Sequence, residues 1–371
     1  MAFAVLGDAG PVGLVTIAVR RRRAGAVGPD RALRVVRARA ATVDEWQDAH
    51  EAHGASYFHG PAWARLWERS SGGAVRLEPL VVELCDGSSA VVGASSVPTR
   101  LPGVRQTTLS PEGCAGGFVG AVPLDAVQRA AVARWLAGRR SLLWRIGAVD
   151  ADLHEVVAPV GRVESTHLID LADGAEGARS RFRSSAKRSA RRAASAGVVV
   201  RRATGARDWE TYVRLYADTV RRWDTPLGTY DERVFELLAD EPGDGVSPLP
   251  GGARGRACAG EIVLVHRDHA ISWHGATDTS AVPGSFNLLE WEVVGDLAAD
   301  GVRVYDLNGS AGLEGVVAFK ESCGRGRRPC WPSRRRTPPS RSPALPAARP
   351  RRSRPGAGAS QPERLRRRRL P

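Results

Sequence analysis

Apolar and polar positions follow a regular pattern from Leu33 onward. Residues 33–40 predict a strand, and a helix is predicted to begin at Thr42, with acidic residues in its first turn. A second helix is indicated where Pro61 precedes apolar residues at helical spacing. Two β-rich runs then flank Asp86-Gly87, which is typical of a hairpin. A glycine-rich loop, a helix and a strand complete this set.

The same order of elements returns after residue 197. A strand is followed by a helix whose aromatic residues recur at spacings of three and four, and then by another helix. Two further strands turn near Asp268, and the flanking His266 and His269 are predicted to be solvated turn residues. A helix, a strand and a last helix from Leu313 follow. The repetition predicts an α/β (α+β) fold of two similar domains, each a mixed, mainly antiparallel sheet flanked by helices.

Changes in composition divide the chain into five predicted segments. They are a disordered leader (1–32), a first domain (33–172), a basic linker helix (173–197), a second domain (198–324) and a disordered Arg/Pro-rich tail (325–371). The tail is rich in Arg, Pro, Ala, Gly and Ser and shows no periodicity. Such a segment buries too little apolar surface to offset the entropy of ordering it.

The tail also accounts for the charge of the chain. It holds sixteen arginines and one acid, Glu363, and therefore carries +15. Because the whole chain carries +14, the rest is close to neutral at −1. The basic isoelectric point thus describes the tail and not the folded part. Two interpretations remain open: a nucleic-acid or membrane-surface appendage, or a GC-rich gene translated out of frame beyond residue 324.

The cysteines and apolar segments favour a cytoplasmic protein. Five cysteines are scattered without a C-x-x-C pair or a histidine at ligand spacing, so no metal site is predicted. The apolar start of the chain is followed by basic residues, the reverse of a signal peptide. No segment offers the roughly 20 continuous apolar residues of a membrane span.

The sequence contains HGATD, FNLLEWEVVGDLAADGVRVYDLNGS and EGVVAFKESCG, preceded by SSAKRSARRAASAGV and SPEGCAGG. These blocks resemble GNAT-superfamily proteins related to the Fem peptidoglycan-bridge transferases and the cellulose-biosynthesis-type acetyltransferases. The most specific block joins the first three of these segments near the C-terminal end of the second domain. The basic stretch SSAKRSARRAASAGV and the loop SPEGCAGG are similar to the family's basic helix and first-domain loop. The resemblance covers about residues 33–324 and implies two GNAT-like domains in tandem.

Two departures from the family pattern stand in the C-terminal block. Asn308 occupies the position of a usual second glycine before Gly309-Ser310. The family also continues past Phe-Lys with further strands, which residues 325–371 do not supply. We therefore expect the strand around Val302–Leu307 to present an open edge, and the chain to be marginally stable or inactive.

The resemblance implies the chemistry of N-acyl transfer. In GNAT folds the fourth strand, here HAISWHGATD, separates from the fifth, so that an acyl donor lies in the gap. Its phosphates meet the N-terminus of the next helix, where free N–H groups and the helix dipole favour anions. The expected donor is acetyl-CoA or another acyl-CoA. Because VPGSFNLL lacks the usual Gly-x-Gly/Ala pattern, aminoacyl-tRNA remains open.

Four residues are the catalytic candidates. The resemblance implies that Lys320 stabilises charge at the reacting carbonyl. Asp306 is expected either to orient or deprotonate the amine or to cap the strand end. Ser310 either donates to the carbonyl or caps the last helix. His274 has the pKa range of a general base, although a lone strand histidine is more often structural.

Six further residues are predicted to bind substrate: Trp273, Asn287, Asn308, Gly309, Phe319 and Arg188. The basic helix that carries Arg188 is either a solvated linker or a contact for an acidic partner such as tRNA. The predicted acceptor is an amine on a sugar, an amino acid or a cell-wall precursor. The alternative function is a non-catalytic GNAT scaffold that binds nucleic acid through its basic tail.

Overall fold

The computed structural model describes residues 33–99, 101–139, 142–153, 156, 166–203, 205–222, 230–240, 246–253, 256–279, 281–310 and 313–324. The predicted leader and tail lie outside these residues. The described residues all fall within one compact unit. Among them, no helix is both long and apolar enough to cross a bilayer.

Among the described residues, the first half contains two small sheets and three α-helices of ten residues or more. The helices are α1 (Val43–His53), α2 (Pro61–Ser70) and α3 (Ala126–Ala137). The strands are β1 (Val35–Ala40), β2 (Arg76–Leu77), β3 (Leu80–Leu84), β4 (Ser89–Val92), β5 (Ser95–Pro98), β6 (Arg105–Thr108), β7 (Phe118–Gly120) and β8 (Leu142–Leu143). One sheet has the order β1-β3-β4-β7 and the other β2-β5-β6-β8.

A six-stranded sheet organises the second half, in the order β10-β11-β12-β13-β14-β9. The strands are β9 (Leu168–Asp170), β10 (Val198–Val200), β11 (Val246–Ala253), β12 (Arg256–His266), β13 (His269–Thr277) and β14 (Val304–Asp306). The helices are α4 (Gly174–Ser180), α5 (Ser184–Ser195), α6 (Ala206–Arg222), α7 (Glu232–Ala239), α8 (Ser285–Ala299) and α9 (Glu314–Cys323). The predicted fold class, mainly antiparallel sheets flanked by helices, is confirmed.

Local signals placed several elements correctly. Thr42 caps α1 in a capping box with Glu45: the Thr42 hydroxyl accepts from the Glu45 N–H at 3.1 Å, and the Glu45 carboxylate accepts from the Thr42 N–H at 2.8 Å. The hairpin predicted at Asp86-Gly87 joins β3 to β4, with Gly87 at φ 89°. These signals act within a few residues, so the sequence alone reveals them.

The open edge predicted for Val302–Leu307 is wrong. β14 pairs in parallel with β13 on one side and antiparallel with β9 on the other, where Val304 faces Asp170 and Asp306 faces Leu168. β9 lies at the end of the segment predicted as the first domain, yet it completes the second sheet. The edge is therefore paired without residues 325–371. The predicted five-segment division itself remains a prediction.

His269 is buried and His266 is half-buried, whereas the sequence predicts two solvated turn residues. The ring of His266 stacks on that of His50 in α1, with centroids 3.8 Å apart. Arg267, between them, donates to the backbone carbonyls of Glu51 and Ala52 at the end of α1. The turn between β12 and β13 is thus packed against the first half of the chain.

We expect the stacked histidines to make the folded protein less stable in acid. Burial lowers the pKa of His50 and of His266 from 6.5 to about 4. Between these values the unfolded chain binds more protons than the native one, so the free energy of unfolding falls as pH drops from about 6.5 towards 4. The buried ring of His50 accounts for roughly 3 kcal/mol over that window, and half-buried His266 for less because solvent screens its charge.

We expect His266→Phe, which keeps a stacked ring but cannot be protonated, to flatten the slope of unfolding free energy against pH in that window. Urea unfolding at a series of pH values measures the slope. His53→Phe changes an exposed histidine of α1, the helix that carries His50, and serves as the control. Equal slopes in His266→Phe and the wild type would contradict the assignment.

Candidate active site

A gap opens between β13 and β14. The two strands pair only over His269–Ile271 and Val304–Asp306, whereas β13 continues to Thr277. Where they part, β13 contains a β-bulge: Ile262 faces His274 and Val263 faces Ser272, which leaves Trp273 as the extra residue. A bulge leaves backbone groups outside the strand ladder, and bulges are common next to active sites. The gap can therefore receive an extended ligand and donate to it from the backbone.

The loop after β14 is fixed by Asp306. Its Oδ1 accepts from the backbone N–H of Asn308 at 2.7 Å and from the hydroxyl of Thr166, 140 residues earlier. Asn308 adopts a left-handed conformation, φ 60°, and its side chain accepts from the Gly309 N–H at 2.8 Å. Asn tolerates this conformation better than most residues. The contacts of Asp306 are those of the strand-end cap, one of its two predicted roles.

Lys320 reaches this loop from α9. Its Nζ donates to the carbonyl oxygens of Asn308 at 3.1 Å and Gly309 at 2.7 Å. An ammonium has three N–H donors, and no third partner is found among the described residues. Burial lowers the pKa of Lys320, against the opposing effect of nearby carboxyl groups such as Glu290. The structure thus places a partly buried ammonium beside the loop that follows β14, at the mouth of the gap.

Ser310 does not cap the last helix. The N-cap of α9 is Leu313, which makes no side-chain bond, and the buried Oγ of Ser310 has no hydrogen-bond partner among the described residues. Of the predicted substrate-binding residues, Phe319 packs edge-on against Phe286 with ring centroids 5.3 Å apart. Asn287 lies in the first turn of α8 next to Phe286. Both helices therefore border the gap near Lys320.

His274 lies on the opposite face of the sheet, against α6. The Tyr212 hydroxyl donates to the His274 carbonyl at 2.9 Å and lies 2.8 Å from its Nδ1. The rings of Tyr216 and Trp273 close around it, with centroids 4.8 and 6.1 Å away. Burial lowers the pKa of His274 to about 4. A base this weak is poorly matched to deprotonating an amine at neutral pH.

Sequence reasoning missed a cluster of buried acids behind the gap. Glu261 of β12 and Glu290 of α8 are almost fully buried, next to Tyr305 of β14. The Ser272 hydroxyl donates to Oε1 of Glu261. Burial raises the pKa of Glu261 to about 7 and that of Glu290 well above its usual range. The available signal was Glu261 within the apolar run GEIVLV and Glu290 within LLEWEVV, where Glu292 follows two residues later.

The glycine-rich loop of the first half also reaches this region. Glu112 adopts a left-handed conformation, φ 55°, which is strained for this residue type. Its side chain reaches solvent, yet desolvation raises its pKa. Arg145 is close enough to lower the pKa of both Cys114 and Lys320, although burial keeps the pKa of the Cys114 thiol raised to about 12. The site is therefore built from both halves of the chain.

The start of α8 lies beside the basic helix α5. Gly284 precedes α8 at φ 93°, and a Cβ there would lie 2.3 Å from the Ser189 carbonyl oxygen of α5. No side chain caps α8. Arg188, Arg191 and Arg192 are exposed on α5 and form no ion pair with the described residues. The start of α8 thus has no side-chain cap and lies against α5, the helix that carries these arginines.

In the described part of the chain, no group of three or more His, Cys, Asp or Glu residues is arranged to hold a metal ion. The predicted residues Lys320, Asp306, Asn308, Gly309 and Phe319 are brought together around one loop, with Ser310 beside them. Trp273 and His274 lie on the separated part of β13, and Arg188 lies on α5.

Comparison with known proteins agrees with this geometry. Residues 180–321 match the family model described as an acetyltransferase (GNAT) domain. No curated protein matches the chain. The crystal structure of FemX is similar with a TM-score of 0.56 at 11% identity, covering 78% of this chain and 94% of that one. L-PGS from Bacillus licheniformis gives a TM-score of 0.46 at 12% identity, covering 75% and 87%.

The segment that matches the acetyltransferase (GNAT) domain model contains the separated strands, the Asp306 loop and Lys320. The predicted enzyme class, an acyltransferase of the GNAT superfamily, is confirmed. The likeness to FemX shows that the two chains share a fold over most of their lengths.

Proposed function

We propose that this protein is an N-acyltransferase that moves an acyl group from acyl-CoA, or an aminoacyl group from aminoacyl-tRNA, to an amine. The observation that carries the proposal is the gap between β13 and β14, with the Trp273 bulge on one side and Lys320 on the other. Direct attack of an amine on a carbonyl places negative charge on the carbonyl oxygen. A backbone N–H and an ammonium at the same opening are suited to stabilise that charge.

The donor end of the proposed site is the start of α8. Both candidate donors carry phosphates, and uncapped N–H groups at a helix N-terminus attract anions. Arg188, Arg191 and Arg192 add positive charge on the neighbouring helix. These features support a phosphate-bearing donor without selecting between acyl-CoA and aminoacyl-tRNA.

The acceptor end of the proposed site faces the first half of the chain. Glu112 offers a carboxylate near Tyr230. Burial raises the pKa of Tyr230, and the charge of Glu112 raises that pKa further. A carboxylate near an aromatic ring suits a positively charged amine. This arrangement supports a sugar, an amino acid or a cell-wall precursor that presents an ammonium group.

Donor binding tests the proposal. We expect titration calorimetry of the full chain to detect binding of acetyl-CoA or of a charged-tRNA pool. Replacing Arg188, Arg191 and Arg192 by Ala should weaken that binding about 3- to 100-fold, since exposed ion pairs contribute about 0.2–1 kcal/mol each.

The control replaces Arg207, Arg214 and Arg221 of α6 by Ala and removes the same charge elsewhere. Equal weakening in both triple variants would show nonspecific attraction. Binding of neither donor would overturn the proposed function. The alternative of a scaffold that binds nucleic acid through its tail concerns residues outside the described part of the chain.

A further inference from the structure

Three buried polar atoms lie together behind the gap. They are Oε2 of Glu261, Oε2 of Glu290 and the hydroxyl of Tyr305. Their side chains are 0, 2 and 0% exposed. The Tyr305 hydroxyl interacts with both carboxyl groups and opposes the effect of burial on their pKa values. The three side chains, contributed by β12, α8 and β14, therefore form one buried polar cluster.

Glu261 is connected to the gap through one side chain. Its Oε1 accepts from the hydroxyl of Ser272, and Ser272 is the first residue of β13 beyond the last pair with β14. Ser272 is partly exposed, whereas Glu261 is fully buried. The serine hydroxyl therefore stands between the carboxyl group and the point where the strands separate.

We infer that Glu261, acting through the hydroxyl of Ser272, accepts the proton that the acceptor amine loses before it attacks the donor. The inference rests on the proposed function. Glu261 does not contact the substrate, so its part is to position and accept the proton while Ser272 makes the contact. A lysine, an amino acid and most amino sugars arrive as ammonium ions, and an ammonium has no lone pair with which to attack.

The proton of the acceptor reaches Glu261 in two linked transfers. One N–H bond of the ammonium breaks, and its proton goes to Ser272 Oγ as the serine proton goes to Glu261 Oε1. The carboxylate becomes a carboxylic acid, and the ammonium becomes an amine. The amine nitrogen then forms a C–N bond with the donor carbonyl carbon. The C–S or C–O bond to the carrier breaks, and the second amine proton leaves with the carrier. Glu261 returns its proton to solvent on product release.

The surroundings of Glu261 support this role. Its pKa, raised by burial to about 7, allows it both to gain and to lose a proton near neutral pH. Lys320 acts in the opposite direction to burial, and Tyr305 lies beside the carboxyl group. The other ionisable groups that interact with Glu261 are Glu290 on α8, Cys323 on α9 and Tyr212 on α6.

Infrared difference spectroscopy tests the inference without any substrate. A carbonyl stretch of a protonated carboxylic acid should titrate near neutral pH in the wild type, and this titrating component should be missing in Glu261→Gln, where the acid band of Glu290 remains. Glu236→Gln, an exposed acid on α7, is the control and should keep the band. If the band is unchanged in Glu261→Gln, or does not titrate between about pH 5 and 9, the inference is overturned.

Kinetics supply the second arm, with acetyl-CoA as donor and two small acceptors. Ethanolamine is an ammonium ion at neutral pH, whereas hydroxylamine is largely uncharged and does not need deprotonation. Glu261→Gln and Ser272→Ala should lower transfer to ethanolamine about 100-fold or more and transfer to hydroxylamine much less. The rising limb of the pH profile of kcat/KM should also be lost.

Acetyl-CoA binding by the same variants distinguishes failure of this inference from failure of the proposed function. If the variants bind acetyl-CoA normally but transfer to ethanolamine and to hydroxylamine falls equally, the inference is overturned and the proposed function stands. If neither acetyl-CoA nor charged tRNA binds the wild type while the infrared band titrates as expected, the proposed function fails and the proton site remains.

Discussion

Replacing Lys320 by Met should lower the rate of acyl transfer about 100- to 1,000-fold, the usual effect of removing one donor to a developing oxyanion. Met keeps the length and apolar stem of the side chain but has no charge and no N–H. The variant also loses the bonds to the Asn308 and Gly309 carbonyls. We therefore expect a large fall in kcat with a small change in donor affinity, measured with the donor that titration identifies.

The chain offers a matched control, because Lys187 and Lys320 are its only two lysines among 54 basic residues. Lys187 also donates to a backbone carbonyl, that of Ser180 at 2.8 Å, but on α5. Lys187→Met should leave kcat unchanged. Lys320→Arg separates charge from shape: it keeps the charge, yet the planar guanidinium does not reproduce a compact ammonium. Equal loss in both Met variants would assign Lys320 a structural role only.

Replacing Trp63 by Ala should lower the free energy of unfolding by about 3–5 kcal/mol, which is typical for a fully buried Trp. Trp63 is 0% exposed and packs against Phe58, Trp67 and Trp273, with ring centroids 4.8, 5.5 and 5.2 Å away. Because Trp273 is the bulge residue of β13, the cavity would also disturb the proposed site. Urea unfolding measures the loss.

Trp135→Ala is the control for Trp63→Ala. Trp135 is only partly buried on α3, so its replacement should lower the free energy of unfolding clearly less. The core around Trp63 contains residues from both halves of the chain, including Tyr212 and Phe235. We therefore expect one cooperative unfolding transition in the wild type. Two separate transitions, with only one shifted in Trp63→Ala, would show that the halves fold independently.

Much of the candidate site was predictable because its residues are close in sequence. Asp306, Asn308, Gly309, Phe319 and Lys320 lie within fifteen positions, in a block whose resemblance to known transferases is specific. The structure brings these residues together, but it also shows Asp306 capping a turn and Lys320 holding a loop. Their catalytic roles remain predictions, and the kinetic variants address them directly.

Other features were hidden because they depend on partners far along the chain. Glu261 and Glu290 look like ordinary polar positions in their own segments, and only the packing of α8 on the sheet buries them together. The strand β11 contains Pro248 and Pro250, which argue against a strand, yet it pairs with β10 on one side and β12 on the other. Here tertiary pairing overrides local preference.

By itself, the sequence determined most helices, the two hairpins, the mixed α/β class and the C-terminal block of the transferase domain, because caps, turns and periodicity act over a few residues. The single basic helix predicted over 173–197 is instead divided into α4 and α5. Only the tertiary structure decided how β14 is completed, since its partner β9 lies more than 130 residues earlier. It also decided which histidines and acids are buried. Burial and the pairing of distant strands depend on the whole packed chain, and with them come the perturbed pKa values of the site.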